Sequence, residues 1–343
     1  MTKPRPGVLE SLFTLLSSRD PSVVVGPGIG EDAAVIELDE ARVLVTHVDP
    51  VTGASRLLGW LGVHVAANDV AATGARPRWL LVTLLVPSGS GPEAIEAVMR
   101  DAARAARELG ASIVGGHTEY APGVEKPVIV VTAIGVAGRD SFVATRGARP
   151  GDAVVLTKYA AMEAAAVLAT DYAEELRRRG VGEEVLREAA RLQEMVSVVP
   201  EALLLSESKL ASSMHDPTEG GVLGGAAEIA YASGTTIRLY EEKIPLHPAA
   251  KEVLEAMSLD PLRSLSSGAL LATIPRAKLG EALMRLEDIG VRATVIGEVI
   301  EYNGYLVELH RVNGVVETLE EPYVEDEVMK LWEKRGGQED KAK

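Results

Sequence analysis

The sequence predicts an α/β chain of two domains. Strand-like and helix-like patterns alternate along its length. At 343 residues it has the size of roughly two domains. A turn-rich break, Arg-Gly-Ala-Arg-Pro-Gly-Asp at 146–152, divides the alternation into two series. The domains are accordingly set at 1–146 and 147–335, with a polar tail at 336–343.

A short amphipathic helix is expected over 7–18, followed by strands at 33–38 and 42–48. Residues 55–74 carry a long helical pattern that stops at Gly74. Trp79–Pro87 is an apolar run bounded by prolines, which suits a buried strand. Pro92–Leu109 is Ala-rich with Glu and Arg on one side and reads as a helix stopped by Gly110. Strands at 112–115 and 127–136 complete the first series. The second opens with a strand at 153–157. Helices follow at 159–179, 183–195, 198–209, 218–233, 248–257 and 277–288, with strands at 236–240, 268–274, 292–299 and 304–310.

Apolar residues make up 47% of the chain and charged residues 25%, the proportions of a globular protein. Aromatics are only 4%, so the core must be built from Val, Leu, Ile and Ala. A formal net charge of −15 argues against nucleic acid or an anionic membrane as a partner. There is no cysteine, which excludes disulfides, thiolate metal sites and a cysteine nucleophile. No apolar run has the roughly 18 residues of a membrane span, and no signal-peptide core follows the N-terminus, so a cytoplasmic location is expected.

Six places could carry chemistry. Gly26-Pro-Gly-Ile-Gly-Glu-Asp combines a glycine-rich turn with two hard oxygen donors, Glu31 and Asp32, a pairing suited to Mg²⁺ held against phosphates. It is neither a Walker loop nor a Rossmann fingerprint, and a plain turn before a strand is the alternative. Asp49 ends the apolar run 43–48, a place for a ligand carboxylate or for a turn or helix cap; His47 beside it suits a packed or surface position. Within the helix at 55–74, His64 and Asn68 share a face. Asn68 and Asp69 stand together in an apolar surround, where a metal or ligand would satisfy them, the alternative being a solvated face or an interhelical hydrogen bond.

Val114-Gly-Gly-His-Thr-Glu-Tyr suggests backbone amides and a hydroxyl meeting phosphate oxygens, with His117 and Glu119 as further donors, or else a hairpin loop. In Met214-His-Asp-Pro-Thr-Glu-Gly-Gly, capping explains Asp216 and Pro217 but neither His215 nor the two glycines of the first turn. Lys158, after a strand, is a phosphate contact or a surface lysine.

Taken in order, these segments resemble one superfamily, that of aminoimidazole ribonucleotide (AIR) synthetase, thiamine-monophosphate kinase, selenophosphate synthetase and the hydrogenase maturation factor HypE. The resemblance rests on Gly30-Glu-Asp-Ala-Ala-Val, Asn68-Asp-Val-Ala with Gly74-Ala-Arg-Pro, and Gly115-Gly-His-Thr. It continues through Arg149-Pro-Gly-Asp, His215-Asp-Pro-Thr-Glu-Gly-Gly, and Asp260-Pro-Leu with Ser267-Gly-Ala-Leu, and is closest to the HypE branch. It implies a two-domain PurM-like α/β fold whose N-terminal sheet pairs in a homodimer, with ATP in a cleft and Mg²⁺ held by aspartates. Carried over residue by residue, Asp32, Asp49 and Asp69, with Glu119, are metal-ligand candidates. Gly30, Asn68, Gly115, Gly116 and Thr118 are cofactor-contact candidates, joined by Lys158 from its place after a strand, and Asp216 and Asp32 are catalytic candidates.

Two departures matter. His117 stands where the family's Gly-Gly turn usually carries an acid. HypE proper ends in a cysteine that accepts a carbamoyl group, whereas this sequence contains none. The expected activity is ATP- and Mg²⁺-dependent phosphorylation or activation of an oxygen of a small-molecule acceptor. The rivals are a thiamine-monophosphate kinase, a HypE-like maturation protein working with a protein partner, and a non-catalytic ATP-binding regulator.

Overall fold

The computed structural model describes residues 4–16, 20–52 and 57–332. Parts of the helices expected at 7–18 and 55–74, and the whole polar tail, lie outside the described residues.

The first sheet contains β1 (Val23–Val25), β2 (Ala34–Glu37), β3 (Arg42–Val51), β4 (Arg76–Pro87), β5 (Ser112–Ala121) and β6 (Val128–Gly138), in the order β1-β2-β3-β6-β4-β5. Its helices are α1 (Pro6–Leu15), α2 (Leu58–Ala72) and α3 (Pro92–Leu109). β4 and β5 run parallel, joined by α3, and the other pairings are antiparallel. Alternation decides which residues meet. Val43, Val45, Leu80, Val82, Ile129 and Val131 face inward and pack with Val63, Ala66 and Val70 of α2 and Ala102 and Ala105 of α3. On the other side of the sheet Val48, Trp79 and Leu81 are exposed.

The second sheet begins with β7 (Ala153–Thr157), followed by α4 (Met162–Asp171), α5 (Ala173–Arg178), α6 (Glu183–Arg191), α7 (Val199–Glu207) and β8 (Ser213–His215). Then come α8 (Gly221–Ser233), β9 (Thr236–Tyr240), α9 (Pro248–Met257), β10 (Leu271–Ile274), α10 (Leu279–Asp288), β11 (Ala293–Ile300), β12 (Val307–His310) and β13 (Val316–Leu319). The strand order is β13-β12-β9-β11-β7-β10-β8. Every residue of β7 is buried, because the sheet is covered on both faces. Val154 and Leu156 meet the core of α4, α6, α8 and α9, while Val155 meets α7 and α10.

α2 belongs to both domains. Its Ala67, Ala71 and Ala72 enter the second core beside Val155, Met214 and Ala272. All of α2 except Asp69 is buried, as expected of a helix that is apolar around its whole circumference.

The strands β1, β8 and β13 are additions to the sequence expectation, and three expected elements differ from it. The helix expected at 159–179 is two helices, broken at Tyr172. The helix expected at 183–195 ends as α6 at Arg191 and finishes as a 3-10 turn over Leu192–Met195. The strand expected at 112–115 runs on through Ala121, so the Gly-Gly-His-Thr stretch is strand rather than loop.

Candidate metal and phosphate site

The acids converge where the two domains meet. In β3, His47 and Asp49 continue the inward-facing alternation of Val43 and Val45, which turns them toward α2. There His47 Nε2 lies 3.4 Å from Asp69 Oδ2. Asp32 arrives from the glycine-rich turn before β2, and Asp216 from the residue after β8. Ligand atoms of Asp32, Asp69 and Asp216 lie within 4.8 Å of one another, as do those of His47, Asp49 and Asp69. Asp69 is common to both groups.

The donor set fits a hard divalent cation. Both oxygens of Asp216 and Oδ2 of Asp32 are buried and have no hydrogen-bond partner among the described residues. Such atoms are costly unless a cation or a proton satisfies them. Burial, with Asp32 and Asp49 close by, pushes the Asp216 carboxyl well above the ordinary carboxylate range.

His215 holds the cluster from behind. Its Nδ1 donates to Asp32 Oδ1, and its Nε2 donates to Glu228 Oε2 at 2.9 Å. Burial opposes the imidazolium, but the carboxylates on both sides outweigh it and raise its pKa well above the usual histidine value. Gly30 lets the turn fit here: its φ is +82°, and a Cβ would fall 2.7 Å from the backbone oxygen of Glu228. Gly28–Asp32, His47, Asp69, Asp216 and Thr218 line a cavity of about 190 Å³. His47, Asp69 and Thr218 also line a second cavity of about 420 Å³.

Asn68 and Lys158 are held by contacts within the chain. Asn68, expected at phosphate, is buried with its amide spent across the domain junction: Nδ2 donates to the Val196 oxygen at 2.8 Å, and Oδ1 accepts from the Val198 nitrogen at 2.9 Å. Lys158, also expected at phosphate, is buried in an ion pair with Glu201 at 2.7 Å and donates to the Ser197 oxygen at 2.6 Å. Glu31 lines the same cavity as Asp32 and accepts from the Thr145 nitrogen at 3.2 Å.

Gly115, Gly116, Thr118 and Glu119 lie on the exposed edge strand β5. The row Pro50–Val130–Thr83–His117 crosses three strand spacings. Within one chain this stretch is therefore roughly 14 Å from Asp49 at the usual strand separation. Glu119 there contacts His117 at 3.0 Å. Gly116 serves close packing, since a Cβ at its φ of +148° would meet the Val82 oxygen at 1.8 Å.

His47 and Glu228 were not anticipated as site residues. A signal existed for each. His47 shares the strand parity of Asp49, and Glu228 is the lone charge in the apolar helix 221–233.

Family models for the N-terminal and C-terminal domains of AIR synthase related proteins match residues 30–137 and 149–309. The chain belongs to the AIR synthase-related family. Among relatives in this family, the carbamoyl dehydratase HypE of Cupriavidus necator is 31% identical over 75% of this chain and 72% of its own length. The crystal structure of Escherichia coli HypE superposes with a TM-score of 0.72 at 27% identity, covering 93% of this chain and 98% of that one. AaThiL complexed with AMPPCP and TMP shares the fold, with a TM-score of 0.72 at 23% identity over 91% of this chain and 96% of its own. The AIR synthase-related fold is thus present in both domains, and no described helix is long and apolar enough to cross a membrane.

Proposed function

We propose that this AIR synthase-related protein is an ATP- and Mg²⁺-dependent enzyme that transfers or splits off the γ-phosphoryl group while activating an oxygen of a small molecule. The observation that carries the reading is the convergence of Asp32, Asp69 and Asp216 within 4.8 Å, with buried carboxylate oxygens left unpartnered. Mg²⁺ held there would neutralise charge on the phosphates. Asp32 and Asp216 would hold the ion against the transferring group, with Asp49 and Asp69 completing the oxygen set. The turn at Gly28–Gly30 leaves room for the phosphate chain. His215 keeps Asp32 in place.

Isothermal titration with ATP and Mg²⁺ tests the reading. Wild type is expected to bind. Asp32→Ala and Asp69→Ala are each expected to weaken binding by more than tenfold, the scale of losing one charge-assisted ligand. Wild type that fails to bind, or variants that bind as well as wild type, would refute it.

The relatives favour a second reading, a hydrogenase-maturation role. The chain has no cysteine, so a partner would have to supply the thiol. ADP release in the presence of candidate acceptors separates these cases. Diphosphate formed from thiamine monophosphate would make the protein that kinase, and tight ATP binding without turnover would make it a regulator.

The exposed Val48, Trp79 and Leu81 on one side of the first sheet support a homodimer. Leu81→Asp is expected to convert a dimer to a monomer in sedimentation velocity. A monomeric wild type would rule this out.

A further inference from the structure

The larger cavity holds a carboxyl that phosphoryl transfer at the acid cluster does not use. Val51, Leu61 and Val65 of the first domain face Val167, Leu265 and Trp332 across about 420 Å³. No lysine or arginine is among its described lining residues. Glu163, the one charged residue of α4's first turns, lines the same space. Ser267 hydrogen-bonds to Glu163 from both side chain and backbone. Its Oε2 is closed off from solvent and has no partner among the described residues.

We propose that this cavity is the acceptor's subsite and that Glu163 anchors a cationic, nitrogen-bearing head group of the acceptor. The proposal rests on the phosphoryl-transfer reading and names the substrate class for that same site. In-line transfer places acceptor and leaving group on opposite sides of the moving phosphorus. Two cavities that meet at His47, Asp69 and Thr218 supply those two sides. The glycine turn marks the nucleotide's side, which leaves the Glu163 side for the acceptor. An unpartnered carboxyl oxygen is satisfied by an N–H donor, and the apolar walls suit a flat or aliphatic body. An anionic acceptor would face Glu163, Glu219, Asp49 and Asp69 with His47 as the one basic side chain among the described lining residues.

Burial, with Glu219 and Asp326 close by, raises the Glu163 pKa to about 7. A cationic ligand favours the ionised form, so affinity should increase with pH through that value. The other titratable groups lining the cavity are Glu219 from the second domain, His47 and Asp49 from β3, and Asp69 from α2, and Asp326 acts on Glu163 from outside the lining. All of them remain in Glu163→Gln, so the difference from wild type isolates Glu163.

The test is calorimetric titration of the full chain with benzamidine and, separately, benzoate, at pH 6 and pH 8. Wild type is expected to bind benzamidine about tenfold more tightly at pH 8, following the ionised fraction of a group with a pKa of about 7. Glu163→Gln should lose that pH dependence and bind about tenfold more weakly at pH 8. Benzoate should not bind. If Glu163→Gln fails to fold, Glu163→Asp replaces it, with weaker benzamidine binding but the pH dependence retained. The proposal is overturned if wild type ignores benzamidine, if benzoate competes equally, or if the variant matches wild type.

A parallel ATP–Mg²⁺ titration separates the two readings. Failure of wild type to bind ATP would remove the phosphoryl-transfer reading itself. Loss of ATP binding in Glu163→Gln alone would give this carboxyl to the nucleotide and overturn the acceptor assignment.

Discussion

Asp216→Asn is expected to raise the melting temperature of the metal-free protein and to abolish ATP turnover. The two effects have one cause. Asp216 is buried with neither oxygen partnered, beside Asp32 and Asp69, and its carboxyl titrates well above the ordinary range. Its ionisation therefore opposes folding. The sign follows from linkage: between the ordinary carboxylate pKa and the raised folded value, the native state holds the extra proton. Metal-free stability falls as pH rises through that window and does not suffer below it. Asparagine removes the charge at the same volume, so the variant should gain about 1–3 kcal/mol at neutral pH. Differential scanning fluorimetry checks this directly.

Mg²⁺ gives the opposite pattern. It should stabilise wild type, with protons released on binding, and leave Asp216→Asn nearly unmoved. ADP release should fall on the order of 100-fold or more, the scale of removing one charge-stabilising group from a reacting centre. A variant that is less stable than wild type, or one that turns over normally, would show that Asp216 is only a structural acid.

Asn68→Ala should be among the most destabilising single substitutions, and for a reason unrelated to ATP. Its amide satisfies the Val196 oxygen and the Val198 nitrogen at once, from a helix of the first domain to the chain leading into α7. Alanine would leave two buried backbone groups unpaired, at about 1–3 kcal/mol each. A melting temperature lower by several degrees is expected, together with faster amide exchange in α7 and at the α2 contact. At low temperature the variant should still bind ATP and Mg²⁺. Normal stability combined with lost ATP binding would return Asn68 to the phosphates.

That contrast explains how far the sequence could be read. Acids in strand-end and turn contexts, such as Asp32, Asp49 and Asp216, carry local signals, and the structure brings them to one place with Asp69. Asn68 looked equally functional because a buried amide in an apolar helix demands partners. Its partners lie 128 and 130 residues away, where no local pattern reaches. Lys158 likewise has its ion-pair partner far along the chain, in Glu201 of a later helix. The glycines at 115–116 suit a phosphate turn, but at Gly116 the close approach of the β4 backbone also asks for glycine. The two-domain α/β order was legible from periodicity. The sharing of α2 between two cores was not, because its all-round apolar character names a buried helix without naming its neighbours.

The bond between His215 and Asp32 joins a strand end of one domain to a turn of the other, and Glu228 secures the far side of the ring. Any cation that draws on Asp32 therefore also reweights a contact between the two domains. By reciprocity, a second ligand whose affinity the cation changes through that contact must change the cation's affinity by the same factor.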